Sequence, residues 1–374
     1  MTFPRQIHQI LPFFAYGDAI GNQVLELRRL LRNWGYVSEI FAENWDPRLA
    51  GECRSYREYH RLSHKDNLLI LHYSTGGEAN HFVLTVPDHV VIYYHNITPA
   101  HFFYWANGAV AREVEQARRE LEQLAGKLPA IAASPYNAQE LQGMGFTVLG
   151  VAPYILTFER LDAGLQNHGA AEIKQRFADP QAINWLYVGR LAPHKCVHDI
   201  IKAFYYYHAW ITPRSRLLLV GTGTGLEHYV ADLHRLTHKF GLDESVVFAG
   251  HYGAGDGLAA FYQIADLYVC MSEHEGFCIP LVEAMYYGLP VLAYASASVP
   301  FTLGTAGVMM QKKDYATIAE TAHEIATCDA LRSRLIAGQH TRLATFAPGP
   351  ARAQFRACLD AVVACGVTQL GGIE

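Results

Sequence analysis

Apolar residues along this chain follow two alternating rhythms, short runs of a few residues and longer stretches in which they recur every three or four positions. Residues 7–11 form the first run. A loop is predicted at 12–21, followed by Val24, Leu27, Leu30, Leu31 and Trp34 at helical spacing, Gly35 as a stop, and a second run at 37–41. Strand, helix and strand in that order make a β-α-β unit. Further runs at 68–72, 90–94, 130–134 and 148–151, separated by helical stretches such as 110–126 and 138–144, predict a parallel α/β sheet in the N-terminal half.

Between residues 156 and 182 polar residues and a Gly-rich patch break the pattern, and it restarts with runs at 185–188, 217–220, 246–248, 267–270, 291–293 and 307–310. The expectation is α/β throughout, with two Rossmann-like doubly wound parallel-sheet domains, 1–157 and 158–350, facing a central cleft. Ligands of open parallel sheets bind beyond the carboxyl ends of the strands, so the loops that follow strands are where chemistry is sought.

Composition narrows the function classes. No apolar run approaches the roughly 18 residues that cross a bilayer, and the start lacks a cationic head followed by an apolar stretch, so a cytoplasmic protein is expected. The 30 Lys and Arg against 35 Asp and Glu leave a charge of −5, the wrong sign for neutralising nucleic-acid phosphates. Seven scattered cysteines with no C-x-x-C pair indicate neither a disulfide framework nor a zinc knuckle, and they are read as reduced and mostly buried.

Three loops carry candidate chemistry. After the run at 185–188 comes Gly189-Arg190-Leu191-Ala192-Pro193-His194-Lys195, then a helical pattern from Val197. Two cations beside a helix start suit a diphosphate, although a surface loop with two solvated cations reads equally well. After the run at 267–270 comes Ser272-Glu273-His274-Glu275-Gly276-Phe277-Cys278-Ile279-Pro280, with Glu283 further on and Gly288 as a stop. A short helix should begin near Ile279 with Pro280 in its first position, placing Glu275 in the loop above the helix end and Glu283 in the second turn; simple helix caps are the alternative. Gly221-Thr222-Gly223-Thr224-Gly225 follows the run at 217–220, but its spacing is not that of a dinucleotide loop, and a tight turn approached by a ligand explains it as well. In the N-terminal half Gly17-Asp18-Ala19-Ile20-Gly21-Asn22 and Tyr94-His95-Asn96-Ile97-Thr98-Pro99 end strands facing the cleft, where a structural histidine competes with a catalytic one. His60/His64 and His234/His238 have metal-ligand spacing without the intervening Glu or a third ligand, so no metal is expected. Core packing is the default for the aromatic runs 101–105 and 205–207, and the first could also border an acceptor site or rest on a membrane surface.

Gly189-Arg190-Leu191 with Lys195, Glu275 and Glu283 as E-x7-E, and Gly288-Leu289-Pro290-Val291 together resemble glycosyltransferase family 4, retaining sugar transferases of GT-B fold, in a bacterial polysaccharide-assembly branch. The resemblance implies a hexosyltransferase that needs no cofactor or metal and moves a sugar from a nucleoside-diphosphate sugar, GDP-mannose or a UDP-hexose foremost, to a saccharide or lipid-linked acceptor. Arg190 and Lys195 would hold the diphosphate and Glu283 the ribose. Glu275 and the backbone N–H groups of Phe277 and Cys278 would hold the sugar, with Ile279 near the phosphates. Gly17, Asp18, Gly189, Gly221 and Gly276 complete the donor loops, and His95 would reach the sugar from the other domain. Many members carry Gly-Gly where Asp18-Ala19 stands. A last helix, about 351–374, would cross back to the N-terminal domain, and any lipid contact would be peripheral, at the inner membrane face. The rival readings are a sugar-nucleotide epimerase or phosphorylase of the same fold, and a non-catalytic partner subunit of a transferase.

Overall fold

The computed structural model describes residues 5–177, 179 and 181–370. Residues 1–4, on which the reading of the N-terminus opens, and 371–374, the end of the expected last helix, lie outside the described residues. The chain divides into two compact units: residues 1–100, 111–156 and 346–374, and residues 101–110 and 157–345.

The first unit contains β1 (Ile7–Phe14), α1 (Ala19–Asn33), β2 (Ile40–Trp45), β3 (Arg54–Ser55), β4 (Leu68–Tyr73), α2 (Glu78–Phe82), β5 (His89–Tyr94), α3 (Gly108–Leu124), β6 (Ala130–Ala132), α4 (Pro135–Gly143) and β7 (Val148–Val151), the first residues of α3 grouping with the second unit. All seven strands are parallel, in the order β3-β2-β1-β4-β5-β6-β7. The central strands are buried along nearly their whole length, which is why β4 reads as the unbroken run Leu68-Leu69-Ile70-Leu71. α1 buries Val24, Leu27, Leu30 and Leu31 and is capped by Asp18, whose carboxylate accepts from the Gly21 N–H at 2.6 Å.

Three sequence expectations shift. β1 runs on through Pro12 to Phe14 instead of giving way to a loop at 12. The N–H groups of Ile7 and Gln9 bond toward β2, so the nitrogen of Pro12 falls on the β4 side, past the last registered pair Ile10↔Leu71, and its missing donor interrupts no ladder. β2 begins at Ile40 and not at 37, with Val37 left as a lone bridge to Gln6. β6 stops at Ala132 because Ser134 caps α4, accepting from the Asn137 N–H at 3.1 Å.

The second unit contains α5 (Glu159–Gly164), α6 (His168–Phe177), β8 (Ile183–Val188), α7 (Val197–Trp210), β9 (Ser215–Val220), α8 (Glu227–Lys239), β10 (Val246–Gly250), α9 (Leu258–Ile264), β11 (Leu267–Cys270), α10 (Ile279–Tyr286), β12 (Val291–Tyr294), α11 (Val299–Leu303), β13 (Val308–Met310), α12 (Tyr315–Thr327) and α13 (Asp329–Leu343). Its six strands lie in the order β10-β9-β8-β11-β12-β13, all parallel. The order reverses between β8 and β11, which makes their two carboxyl ends the topological switch point. α14 (Pro348–Leu370) belongs to the first unit, where Phe355 stacks on Trp34 and Tyr93 and Cys358 lies under Gly150.

The first unit's sheet buries a chain of histidines. His72 donates from Nε2 to Gln9 Oε1 at 2.9 Å, because the Gln9 amide nitrogen is already committed to the Val24 carbonyl. That leaves His72 Nδ1 to accept from His95 Nε2 at 2.8 Å, and His95 Nδ1 to accept from the Tyr154 hydroxyl at 2.9 Å. Burial holds His72 down to about 3 and His95 well below its ordinary value, and His8, also enclosed, is lowered to about 4. The unfolded chain takes up these protons near pH 6.5 and the folded chain does not, so stability is full above that pH and is lost as pH falls toward 4. The slope is up to roughly 1.4 kcal/mol per pH unit for each histidine. The melting temperature of the first unit is expected to drop clearly between pH 7 and 5; a level profile contradicts the neutral chain.

Candidate active site

The two loops that the sequence singled out leave the sheet at the second unit's switch point, one after β8 and one after β11. They meet through Lys195, whose Nζ donates to Glu275 Oε2 at 2.6 Å, while Glu275 Oε1 accepts from the Ser272 hydroxyl at 2.8 Å. Both side chains are largely buried, Lys195 at 18% and Glu275 at 9% side-chain exposure. Burial alone would lower the Lys195 ammonium, and the Glu275 carboxylate more than offsets it, so the pKa of Lys195 stands above its ordinary value. Lys195 is therefore not a solvated surface cation: it is a buried one at a strand end, held by a carboxylate.

Arg190 is exposed, and its guanidinium donates to the Thr224 carbonyl at 2.9 Å, so the Thr222–Gly225 turn serves as its rest. The glycines of these loops answer to close backbone approach. A Cβ on Gly221 would lie 1.9 Å from the Gly189 carbonyl oxygen, and both residues take positive φ. Their N–H groups are engaged, Gly189 to Val220 O and Gly221 to Gly250 O, so these two residues shape the loops without offering free donors.

α10 begins at Ile279, as expected, with Pro280 in the second helical position and not the first. Cys278 precedes it in the left-handed region (φ 68°) and provides no side-chain cap, so the first-turn N–H groups of the helix stand beside the Glu275 loop. Cys196 plays the same part before α7 at φ 50°, and Asn96 follows His95 at φ 91°. Non-glycine residues in this region are strained, and here three of them adjoin the candidate residues Lys195, Phe277 and His95. Phe277 and Cys278 are buried, Gly276 and Ile279 half-buried. Glu283, in the second turn and half-buried, accepts from the Tyr262 hydroxyl at 2.6 Å; burial pushes its carboxyl up, against that bond.

A set of partners that the sequence did not reveal braces the two loops. Lys313 Nζ donates to Asp199 Oδ2 at 2.9 Å and Glu273 Oε1 at 2.7 Å, tying the start of α7 to the residue two before Glu275. The Glu273 N–H also bonds the His194 carbonyl at 2.8 Å. Only a fold places residues 40 to 114 apart in contact, so no local motif could have shown them.

Among the described residues two groups have metal-ligating atoms within 4.8 Å of one another, Cys196-His198-Asp199 and Cys270-Glu275-Cys278; neither contains the spaced histidine pairs. In both, the carboxylate already holds an ammonium, Asp199 that of Lys313 and Glu275 that of Lys195, so the protein itself supplies the cation that these groups would draw. The aromatic run divides: Phe103 is buried against His194, whereas Tyr104 and Trp105 are exposed, Trp105 with its edge on Tyr229. In the run 205–207, Tyr207 is core and Tyr206 is exposed.

In the first unit, Gly17 (φ 79°) and Asp18 follow β1 and His95 follows β5. Asp18 caps α1, and both ring nitrogens of His95 are bonded within the unit, so a ligand contact by the imidazole needs one of those bonds to open.

Two doubly wound parallel sheets in one chain are the architecture of the GT-B fold. Residues 170–341 match the family model of glycosyl transferases group 1. The chain is 28% identical over 163 residues to the serotype-specific mannosyltransferase WbdA of Escherichia coli, covering 43% of this chain and 20% of that protein. It is 31% identical over 159 residues to a D-inositol 3-phosphate glycosyltransferase of Mycobacterium sp. (strain KMS), covering 42% of this chain and 34% of that one. The matches thus span a fifth to a third of these relatives' lengths. Among solved structures, sucrose-phosphate synthase of Thermosynechococcus elongatus aligns over 96% of this chain and 100% of its own, with TM-score 0.73 and 19% identity. Anabaena HepE, solved in complex with UDP and glucose, aligns over 94% and 99%, with TM-score 0.68 and 20% identity. At these identities the structural likeness establishes the fold. No described helix is long and apolar enough to cross a membrane.

Proposed function

We propose that this chain is a retaining hexosyltransferase of glycosyltransferase family 4 that takes its sugar from a nucleoside-diphosphate sugar and needs no metal. The observation that carries the reading is the Lys195-Glu275 pair at the switch point of the second unit, beside the uncapped start of α10. A departing diphosphate gains charge as its glycosidic bond breaks, and a lysine already held at the strand end, Arg190 on the same loop and helix-start N–H groups stabilise that charge without a divalent ion. Glu275 then faces the sugar and Glu283 the ribose. For retention the acceptor hydroxyl attacks from the face the phosphate leaves, passing its proton to the leaving oxygen. The donor in this reading is GDP-mannose or a UDP-hexose, the former supported by relatives named mannosyltransferases, and the acceptor is a saccharide or lipid-linked saccharide. In this reading the second unit holds the donor, the first serves the acceptor, and the protein works in the cytoplasm.

Arg190→Ala tests the phosphate contact. Arg190 is exposed and, among the described residues, its guanidinium bonds a backbone carbonyl, so its loss leaves the fold intact while removing a charge-assisted contact of roughly 1.5 to 3 kcal/mol. Titration calorimetry is expected to show about tenfold or greater weakening of nucleoside-diphosphate binding, in excess EDTA as well as without it. Unchanged affinity removes Arg190 from the phosphate site, and binding that collapses in EDTA and returns with magnesium contradicts the metal-free reading.

A further inference from the structure

Glu283 is held by a residue that lies outside every motif named so far. Tyr262, on α9, is 1% exposed, and its hydroxyl donates to Glu283 Oε2 at 2.6 Å. Its ring is fixed on both sides. It lies nearly parallel to Tyr287 (centroids 5.5 Å apart, 19° between planes) and to Tyr268 (6.3 Å, 27°). Each flanking tyrosine is anchored at its own hydroxyl: Tyr268 donates to the Val188 carbonyl, where the Gly189 loop begins, and Tyr287 donates to Asp162 Oδ1 at 3.0 Å. Asp162 Oδ2 accepts from Tyr286 at 2.6 Å, and Phe158 stacks on the Tyr286 ring at 4.0 Å. A ladder of stacked tyrosines therefore runs from the end of β8 to α5, with Glu283 hung from its middle rung.

We propose that Tyr262 is the positioning residue for Glu283, fixing the carboxylate in the one orientation that receives two vicinal hydroxyls of a ribose; this rests on the reading of Glu283 as the ribose contact. An unbound glutamate in a second helical turn samples several rotamers, and ligand binding must freeze them. Here one oxygen is already bonded to a buried, doubly stacked hydroxyl. Oε1 has no hydrogen-bond partner among the described residues, and Oε2 keeps a second lone pair, so both edges of the carboxylate remain open to hydroxyl donors in a fixed plane. The bond also favours the charged, accepting form of Glu283 against the burial that disfavours it.

The ribose itself supplies the test. Calorimetric titration of UDP and GDP, each beside its 2′,3′-dideoxy counterpart, is carried out on the wild-type protein, Tyr262→Phe and Glu283→Gln. Wild type is expected to bind the ribo form of its nucleotide at least about tenfold more tightly than the dideoxy form, a charged hydrogen bond's worth of discrimination. Tyr262→Phe should lose most of that preference yet bind the dideoxy nucleotide as wild type does, and Glu283→Gln should lose all of it. Full ribose preference in Tyr262→Phe overturns the positioning role. Equal weakening of ribo and dideoxy forms in that variant also overturns it, by showing a purely structural part. A wild-type protein that shows no ribose preference removes Glu283 from the ribose, and Tyr262 with it.

Discussion

Glu275→Gln is expected to lower kcat by about two orders of magnitude while leaving the donor KM within a few-fold of wild type. The residue sits in the loop between β11 and α10, one carboxylate oxygen on Lys195 and the other on the Ser272 hydroxyl, so its position is set before any ligand arrives. Glutamine keeps the shape and can still accept from Ser272. It cannot balance the Lys195 ammonium or meet sugar hydroxyls with a full charge as the glycosidic bond opens. Interactions that strengthen only in the transition state appear in kcat, whereas contacts made equally in ground and transition states appear in KM. Glu283→Gln, removing a contact to the non-reacting ribose, is accordingly expected to raise the donor KM with little change in kcat. Steady-state kinetics on both variants decides the matter: equal losses of kcat contradict the division of roles, and full activity in Glu275→Gln excludes that residue from the site.

The second large effect is on stability. Lys195→Met should destabilise the second unit by roughly 3 kcal/mol, the lower end of what breaking a buried ion pair costs, because residual exposure and the Ser272 bond soften the loss. The methionine fills the volume but leaves the Glu275 carboxylate enclosed with no cation. Adding Glu275→Gln removes the orphaned charge, so the double variant is expected to recover most of the stability while remaining inactive. Denaturant melts of the single and double variants measure this, read as a shift of midpoint at constant slope. A Lys195→Met protein as stable as wild type, or a double variant no better than the single, shows that the pair is not a buried electrostatic unit.

These expectations differ in how far they could be read from residues alone. The central strands of both sheets were visible because they are buried on both faces, so each appears as an apolar run, Leu217-Leu218-Leu219-Val220 being as plain as any. The start of α10 was visible because Pro280 and Gly288 punctuate it. β3 was not, since two half-buried residues, Arg54-Ser55, carry no periodicity, and the passage of β1 through Pro12 depends on which neighbour each backbone group faces. Arg190, Lys195, Glu275 and Glu283 were marked by their loops, but a loop does not state its partners. That Lys195 rests on Glu275, that Glu283 hangs from Tyr262 and that Lys313 joins Asp199 to Glu273 are contacts between residues 21 to 114 positions apart. Such contacts are set by sheet order and helix packing. The imidazole of His95 likewise looked available in sequence, and only the neighbouring strand shows its Nε2 bonded to His72.

The central claim, sugar transfer from a nucleoside-diphosphate donor with retained configuration and no metal, is tested most directly by proton NMR of the purified chain in excess EDTA. The samples contain GDP-mannose or a UDP-hexose with a saccharide acceptor. The account predicts that one donor is consumed, its nucleoside diphosphate appears in step with a new glycosidic signal, and the anomeric configuration of that signal matches the donor's. A product of inverted configuration, or donors that stay intact until a divalent metal is supplied, would contradict it.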